Sequence, residues 1–183
     1  MTTVAWSDQL QVLAARMGER VAVSDGQGQQ LSYAQLSQLA HQLAHALLKR
    51  GLAPGQAIGV WLPNSLDAVS CAYGIRLMGA AETPLSWSLT DDEFSWCTSL
   101  AQVQCVITHA DRADRVRACG QVPVLLDELL GLEELRGPSA TASELRVPVL
   151  PPVNSADTGR ILFTSGTTGK PKGVIYTHGA RWI

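Results

Sequence analysis

The ten residues Thr164-Ser165-Gly166-Thr167-Thr168-Gly169-Lys170-Pro171-Lys172-Gly173 combine the features a protein needs to hold a polyphosphate. Gly166, Gly169 and Gly173 allow positive φ and a close approach of backbone to ligand. Successive inward-turned N–H groups in such a stretch form an anion-binding nest. Thr164, Ser165, Thr167 and Thr168 carry hydroxyls that can donate to phosphate oxygens. Lys170 and Lys172 add two point charges within reach of a β- or γ-phosphate, and Pro171 stiffens the chain between them. The chemistry this implies is electrostatic and positional. A nucleophilic role for Ser165 is disfavoured, because the sequence around it lacks the G-x-S-x-G pattern of a hydrolase elbow.

A Walker loop does not fit. That motif needs a glycine where this sequence has Thr164, and a serine or threonine where it has Pro171. All ten positions instead resemble the signature phosphate loop of the adenylate-forming superfamily, which includes acyl- and aryl-CoA synthetases, luciferase and peptide-synthetase adenylation domains. Val174, Thr177 and His178 continue that pattern. Scaffold stretches are also similar: Leu31-Ser32-Tyr33-Ala34-Gln35-Leu36 to the family's early helix entry, and Val60-Trp61-Leu62-Pro63-Asn64-Ser65 to its strand-to-helix turn. Met78-Gly79-Ala80 through Pro84-Leu85 resembles the next crossover, although the family often has Asn where Ser86 and Trp87 follow here.

The resemblance implies a reaction in which a carboxylic acid attacks the α-phosphate of ATP, with Mg2+ present. An acyl-adenylate and pyrophosphate result, and coenzyme A is the expected acyl acceptor. It assigns Thr164, Ser165, Gly166, Thr167, Thr168, Gly169, Lys170, Lys172 and Gly173 to the ATP phosphates. His178 closes the signature, and a structural role and a nearby ligand contact are both open for it. The family's magnesium-holding acid, adenine and ribose contacts, acyl pocket and C-terminal lid with its catalytic lysine have no counterpart in these residues. The expectation is therefore the N-terminal portion of such an enzyme, inactive alone, with no catalytic residue and no metal ligand of its own. A non-catalytic nucleotide- or partner-binding module, a structural lobe needing another chain, and an adenylation domain loading a carrier protein are the alternatives.

Other candidate groups read as structural. His41 and His45 stand four apart on one predicted helix, a spacing that suits a metal, but a third ligand is missing and solvent-facing histidines are expected. His109 follows a predicted strand with nothing nearby to mark it. Asp91-Asp92-Glu93 opens a helix, where carboxylates favour the dipole. Trp61 is expected in or near a strand, and Trp87 and Trp96 over the sheet. Cys71, Cys97, Cys105 and Cys119 form no C-x-x-C pair, so idle reduced thiols and a cytoplasmic location are expected.

The elements that must position the loop follow from periodicity and caps. A helix is predicted from Ser7, as N-cap, to Met17. Short strands follow at 21–23 and up to Leu31, joined by the turn Asp25-Gly26-Gln27-Gly28. Ser32 caps a helix to about Arg50, with Leu36, Leu39, Leu43 and Leu47 at helical spacing and Gly51 as its stop. Strands at 57–62, 80–85, 104–108 and 122–126 alternate with helices through Met78, at 90–101 (Thr90 and Glu93 as a capping box), at 112–119 and at 127–135. Such alternation demands crossovers, so the fold class is α/β, a mostly parallel sheet with helices on both faces. Residues 1–136 read as the α/β lobe and 137–159 as a Pro/Ser-rich linker or edge segment. Residues 160–183 read as a β-loop-β unit built from strands at 160–163 and 173–177.

Apolar residues make up 46% and charged residues 16%, the balance of a chain that folds. A net charge of -2 without a basic block gives no basis for a nucleic-acid partner. No apolar run approaches the ~18 residues that would span a bilayer, and the first residues lack the pattern of a signal peptide. Homo-oligomerisation, or association with a C-terminal portion, is expected of a lobe that exposes apolar surface.

Overall fold

The computed structural model describes residues 6–130, 150–164 and 169–180. Helix α1 (Trp6–Met17) leads into a small antiparallel ribbon, β1 (Val21–Ser24) and β2 (Gln30–Ser32). Asp25 closes that ribbon by accepting the N–H groups of Gln27 and Gln29 on its carboxylate. The helix already includes Trp6, so Ser7 lies inside it and does not hold the cap position expected of it. Helix α2 (Tyr33–Lys49) starts at Ser32, whose hydroxyl accepts the N–H of Gln35 while the Gln35 side chain accepts the N–H of Ser32. Leu36, Leu43 and Leu47 are buried, as their spacing requires, and Leu39 packs beside them half-buried.

A second, six-stranded sheet runs in the order β6-β5-β3-β4-β7-β8. Its parallel strands are β3 (Ala57–Val60), β4 (Ala81–Pro84), β5 (Val103–Thr108), β6 (Pro123–Leu125) and β7 (Thr158–Thr164). The last strand, β8 (Lys172–Thr177), is antiparallel to β7 and forms one edge. Helices α3 (Leu66–Leu77), α4 (Asp91–Leu100), α5 (Ala113–Ala118) and α6 (Leu126–Leu130) lie between them, with a 3-10 turn at Ala110–Arg112 before α5. The predicted helix from 127 is described only to Leu130, and residues 137–149 of the Pro/Ser-rich segment lie outside the described residues. Strand β7 begins at Thr158, two residues before its expected start.

The direction of each crossover decides which face its helix covers. From β3 to β4 the chain steps one way along the sheet, and from β4 to β5 to β6 it steps the other way. Right-handed crossovers then put α3 on one face and α4 and α5 on the opposite face. Two separate cores follow. Leu43, Leu47, Cys71 and Ile75 meet Ile58 and Ile107 on the first face; Phe94, Cys97 and Val116 meet Trp61 and Val106 on the second. The close crossing of α2 and α3 depends on Gly74, where a Cβ would stand 2.7 Å from the Leu43 Cβ and 2.9 Å from the Ala40 carbonyl oxygen. Among the described residues no helix is long and apolar enough to cross a membrane.

Candidate phosphate-binding site

Strand β7 runs parallel to β4, so Thr164 leaves the sheet at its carboxyl edge, where α/β sheets present ligand sites. The antiparallel return pairs Thr164 with Lys172 and Phe163 with Gly173, so the two ends of the glycine-rich connection are held opposite each other. Ser165, Gly166, Thr167 and Thr168 lie outside the described residues. Gly169 takes φ +123, a backbone conformation that side chains disfavour, and is exposed. Thr164, Lys170, Lys172 and Gly173 are exposed as well. Among the described residues no carboxylate pairs with either lysine. Both lysines are exposed on the limb that closes the hairpin.

The limb of the loop that returns to β8 rests on α4. The indole N–H of Trp96 donates to the Pro171 carbonyl at 3.0 Å, and the Lys170 ammonium lies 4.2 Å from the centre of the same ring. Trp96, expected over the sheet, packs on that face and also holds the loop. Its partners lie too far along the chain for periodicity to reveal the contact. Helix α4 is itself firmly set. Thr90 and Glu93 form the expected capping box, which draws the Glu93 carboxyl below its usual range, and Arg115 pairs with Asp91.

Behind α4, Trp61 packs against Phe94 at 4.5 Å and donates its indole N–H to the Ser86 carbonyl. The Arg112 guanidinium lies over both Trp61, at 4.6 Å, and Trp87, at 3.5 Å.

His178 is not beside the loop. It follows the far end of β8, and the length of that strand separates it from Lys172. It is buried (1% exposed), its backbone N–H donates to the Asp157 carbonyl, and its ring lies 2.9 Å from where a Cβ on Gly159 would stand. Burial lowers its pKa and Arg76 adds to the lowering, against the opposing influence of the Gly79 backbone and Asp157. Nearby, β4 buries Glu82 between Arg160, at 3.2 Å, and Arg76, at 3.8 Å. Burial pushes the Glu82 carboxyl up against the pull of both arginines. No local spacing marks this trio, whose three members join only when β4 and β7 pair.

His41 is half-buried, contrary to expectation. Its Nδ1 donates to the Ser37 carbonyl at 2.7 Å, which leaves Nε2 to accept from Gln11 of α1 at 3.2 Å. His45 is half-buried on the same helix, and His109 is the cap residue just before the 3-10 turn. Among the described residues no three His, Cys, Asp or Glu side chains gather as a metal site. Cys71, Cys97, Cys105 and Cys119 are free thiols. Burial pushes Cys97 and Cys105 up to about 11, and Cys71 further, so these three stay protonated and unreactive.

The family model described as AMP-binding enzyme matches residues 10–182. The crotonobetaine/carnitine–CoA ligase of Citrobacter koseri is 30% identical over 186 residues, covering 94% of this chain and 35% of that protein. Surfactin synthase subunit 3 of Bacillus subtilis is 31% identical over 156 residues, covering 82% of this chain and 11% of its own length. In three dimensions, the inhibitor-bound N-terminal domain of FACL13 from Mycobacterium tuberculosis superposes with a TM-score of 0.75 at 30% identity, covering 95% of this chain and 44% of that one. The chain thus spans about a third of the length of the ligase it matches.

Proposed function

The chain belongs to the AMP-binding enzyme family, and from that premise we propose that it forms the pyrophosphate-holding end of an ATP-dependent, AMP-forming carboxylate ligase. The observation that carries this reading is the hairpin mouth, where Gly169 in its positive-φ conformation is followed by two lysines without acidic partners among the described residues. In the proposed step a substrate carboxylate oxygen bonds to the α-phosphorus of ATP. The bond from that phosphorus to the bridging oxygen breaks, and pyrophosphate departs with the added negative charge. Lys170 and Lys172 offset that charge. Thr164, Ser165, Thr167 and Thr168 donate hydroxyl hydrogen bonds, and Gly166, Gly169 and Gly173 admit the backbone to the phosphates. In this reading the rest of the protein supplies the acyl pocket and the nucleoside contacts.

Magnesium is the proposed metal partner of the nucleotide. The described residues offer no cluster to hold it, and a magnesium ion on phosphates takes few protein ligands. Coenzyme A is the proposed acyl acceptor, supported by the ligase similarity, and a cytoplasmic setting agrees with the free thiols. The similarity to a surfactin synthase subunit favours one second reading, in which a carrier-protein thiol takes the acyl group.

ATP–pyrophosphate exchange by the full-length protein, over a panel of carboxylic acids, tests the first step. Exchange with at least one acid is the expected result; no exchange together with no ATP binding by calorimetry would sink it. Thioester formation with coenzyme A, compared with a carrier protein, then separates the two acceptors.

A further inference from the structure

We propose that Trp96 is a positioning residue for the phosphate loop: α4 fixes the limb entering β8 through the Trp96–Pro171 hydrogen bond and the Lys170 contact. The inference rests on the pyrophosphate-holding reading of the hairpin for its functional consequence, but its geometry stands without that reading.

Three features make Trp96 suited to this role. It is mounted on an element that cannot easily shift: α4 is closed at its start by Thr90 and Glu93, tied to α5 by Asp91 and Arg115, and seated on the sheet by Phe94 and Cys97. It holds the loop by two different interactions at adjacent residues. The indole N–H fixes a backbone atom, the Pro171 carbonyl at 3.0 Å, while the ring face attracts the Lys170 ammonium at 4.2 Å. Pro171 lacks a backbone N–H and has a restricted φ, so fixing its carbonyl also fixes the direction in which Lys172 enters β8. The Pro171 carbonyl lies one residue before the start of β8. Trp96 gives it a partner.

Anion binding would draw on both contacts. A loop already held in place loses less conformational freedom when it binds a ligand, so the indole tether improves phosphate affinity without touching phosphate. The ring face gives the Lys170 ammonium a defined position, and its departure toward an anion alters the environment of that indole.

The test uses Trp96→Phe, which keeps an aromatic face but loses the N–H donor, Trp96→Leu, which loses both, and Lys170→Met, which loses the charge. Amide exchange in the unliganded full-length protein should speed up at Lys170 and Lys172 by roughly three- to tenfold in Trp96→Phe, and further in Trp96→Leu, while Val106 and Ile107 keep their wild-type protection. Pyrophosphate titration should show a dissociation constant raised by a similar factor, with the KM for ATP rising more than kcat falls. Pyrophosphate should also change the indole emission of the wild type, and that change should be missing in Trp96→Phe and Lys170→Met.

Unchanged exchange in both Trp96 variants would overturn the tether. Faster exchange with wild-type pyrophosphate affinity, in a protein that binds pyrophosphate, would overturn the positioning role. A wild type that binds neither pyrophosphate nor ATP would instead remove the phosphate reading, and the exchange data would still decide whether Trp96 holds the limb. Because Trp96→Phe keeps the half-buried ring, a folding failure confined to Trp96→Leu leaves the outcome decidable.

Discussion

A lysine serves a phosphate best when no carboxylate competes for it, and Lys172 meets that condition among the described residues. As the first residue of β8 it is also held opposite Thr164, so its backbone is fixed while its side chain is exposed. Charge-assisted contacts to a leaving phosphate are worth more than neutral hydrogen bonds. Lys172→Ala should therefore lower kcat/KM for ATP in the exchange assay by about tenfold or more, roughly 1.4 kcal/mol. His178 belongs to a different problem. Its folded-state pKa lies below the ordinary 6.5, first through burial and then through Arg76. The unfolded chain takes up a proton near 6.5 that the folded chain refuses, so this contribution to stability is complete above that value and is lost as pH falls through and below it. Melting temperature should drop more steeply in the wild type than in His178→Phe as pH falls from about 7.5 to about 5.5. Equal slopes in the two proteins would show that His178 does not carry the effect.

At the scale of elements, the α2–α3 crossing sets two small energies against each other. Alanine is the better helix former by up to about 1 kcal/mol, which alone would make Gly74→Ala stabilising. Overpacking costs typically about 1–3 kcal/mol. The new methyl would stand 2.7 Å from the Leu43 Cβ and 2.9 Å from a backbone oxygen, neither of which can swing aside. The packing cost should win, and Gly74→Ala should lower the melting temperature by several degrees, at roughly 2–4 °C per kcal/mol in a chain of this size.

The features legible in the sequence were local ones. The cap at Ser32, the capping box at Thr90, the spacing of Leu36, Leu43 and Leu47, and the alternation that required crossovers all depend on residues within a few positions of one another. What could not be read depends on strand order. Trp96 meets Pro171, and Glu82 meets Arg160, across 75 and 78 residues, and no periodicity encodes such contacts. His178 was an intermediate case. Once the loop is taken as a hairpin tip, the six residues from Lys172 to Thr177 already put His178 at the opposite end, so the signal was present in the spacing.

At the scale of the whole molecule, β8 differs from every other strand of the large sheet. The central strands are covered on both faces by the two cores, and β6 is shielded by its neighbouring helices α5 and α6. Strand β8 has no further strand beside it among the described residues, and apolar side chains stand exposed on both its faces. Ile175, opposite Ile161, is 65% exposed, and Val174, opposite Leu162, is 40% exposed. An open edge of this kind pairs readily with another chain, because its unpaired backbone groups and apolar side chains both gain from being covered. The 183-residue chain should therefore associate with increasing concentration, as read by light scattering on a sizing column. A lysine at the edge opposes such pairing through its charge, so Ile175→Lys should shift the population toward monomer. Position 175 lies three residues into β8 from the loop, so the same variant should keep the wild-type exchange rates at Lys170 and Lys172. A concentration-independent mass for the unmodified chain would show that the edge is protected by its own twist or by residues outside those described. Association unaffected by Ile175→Lys would move the contact to another surface.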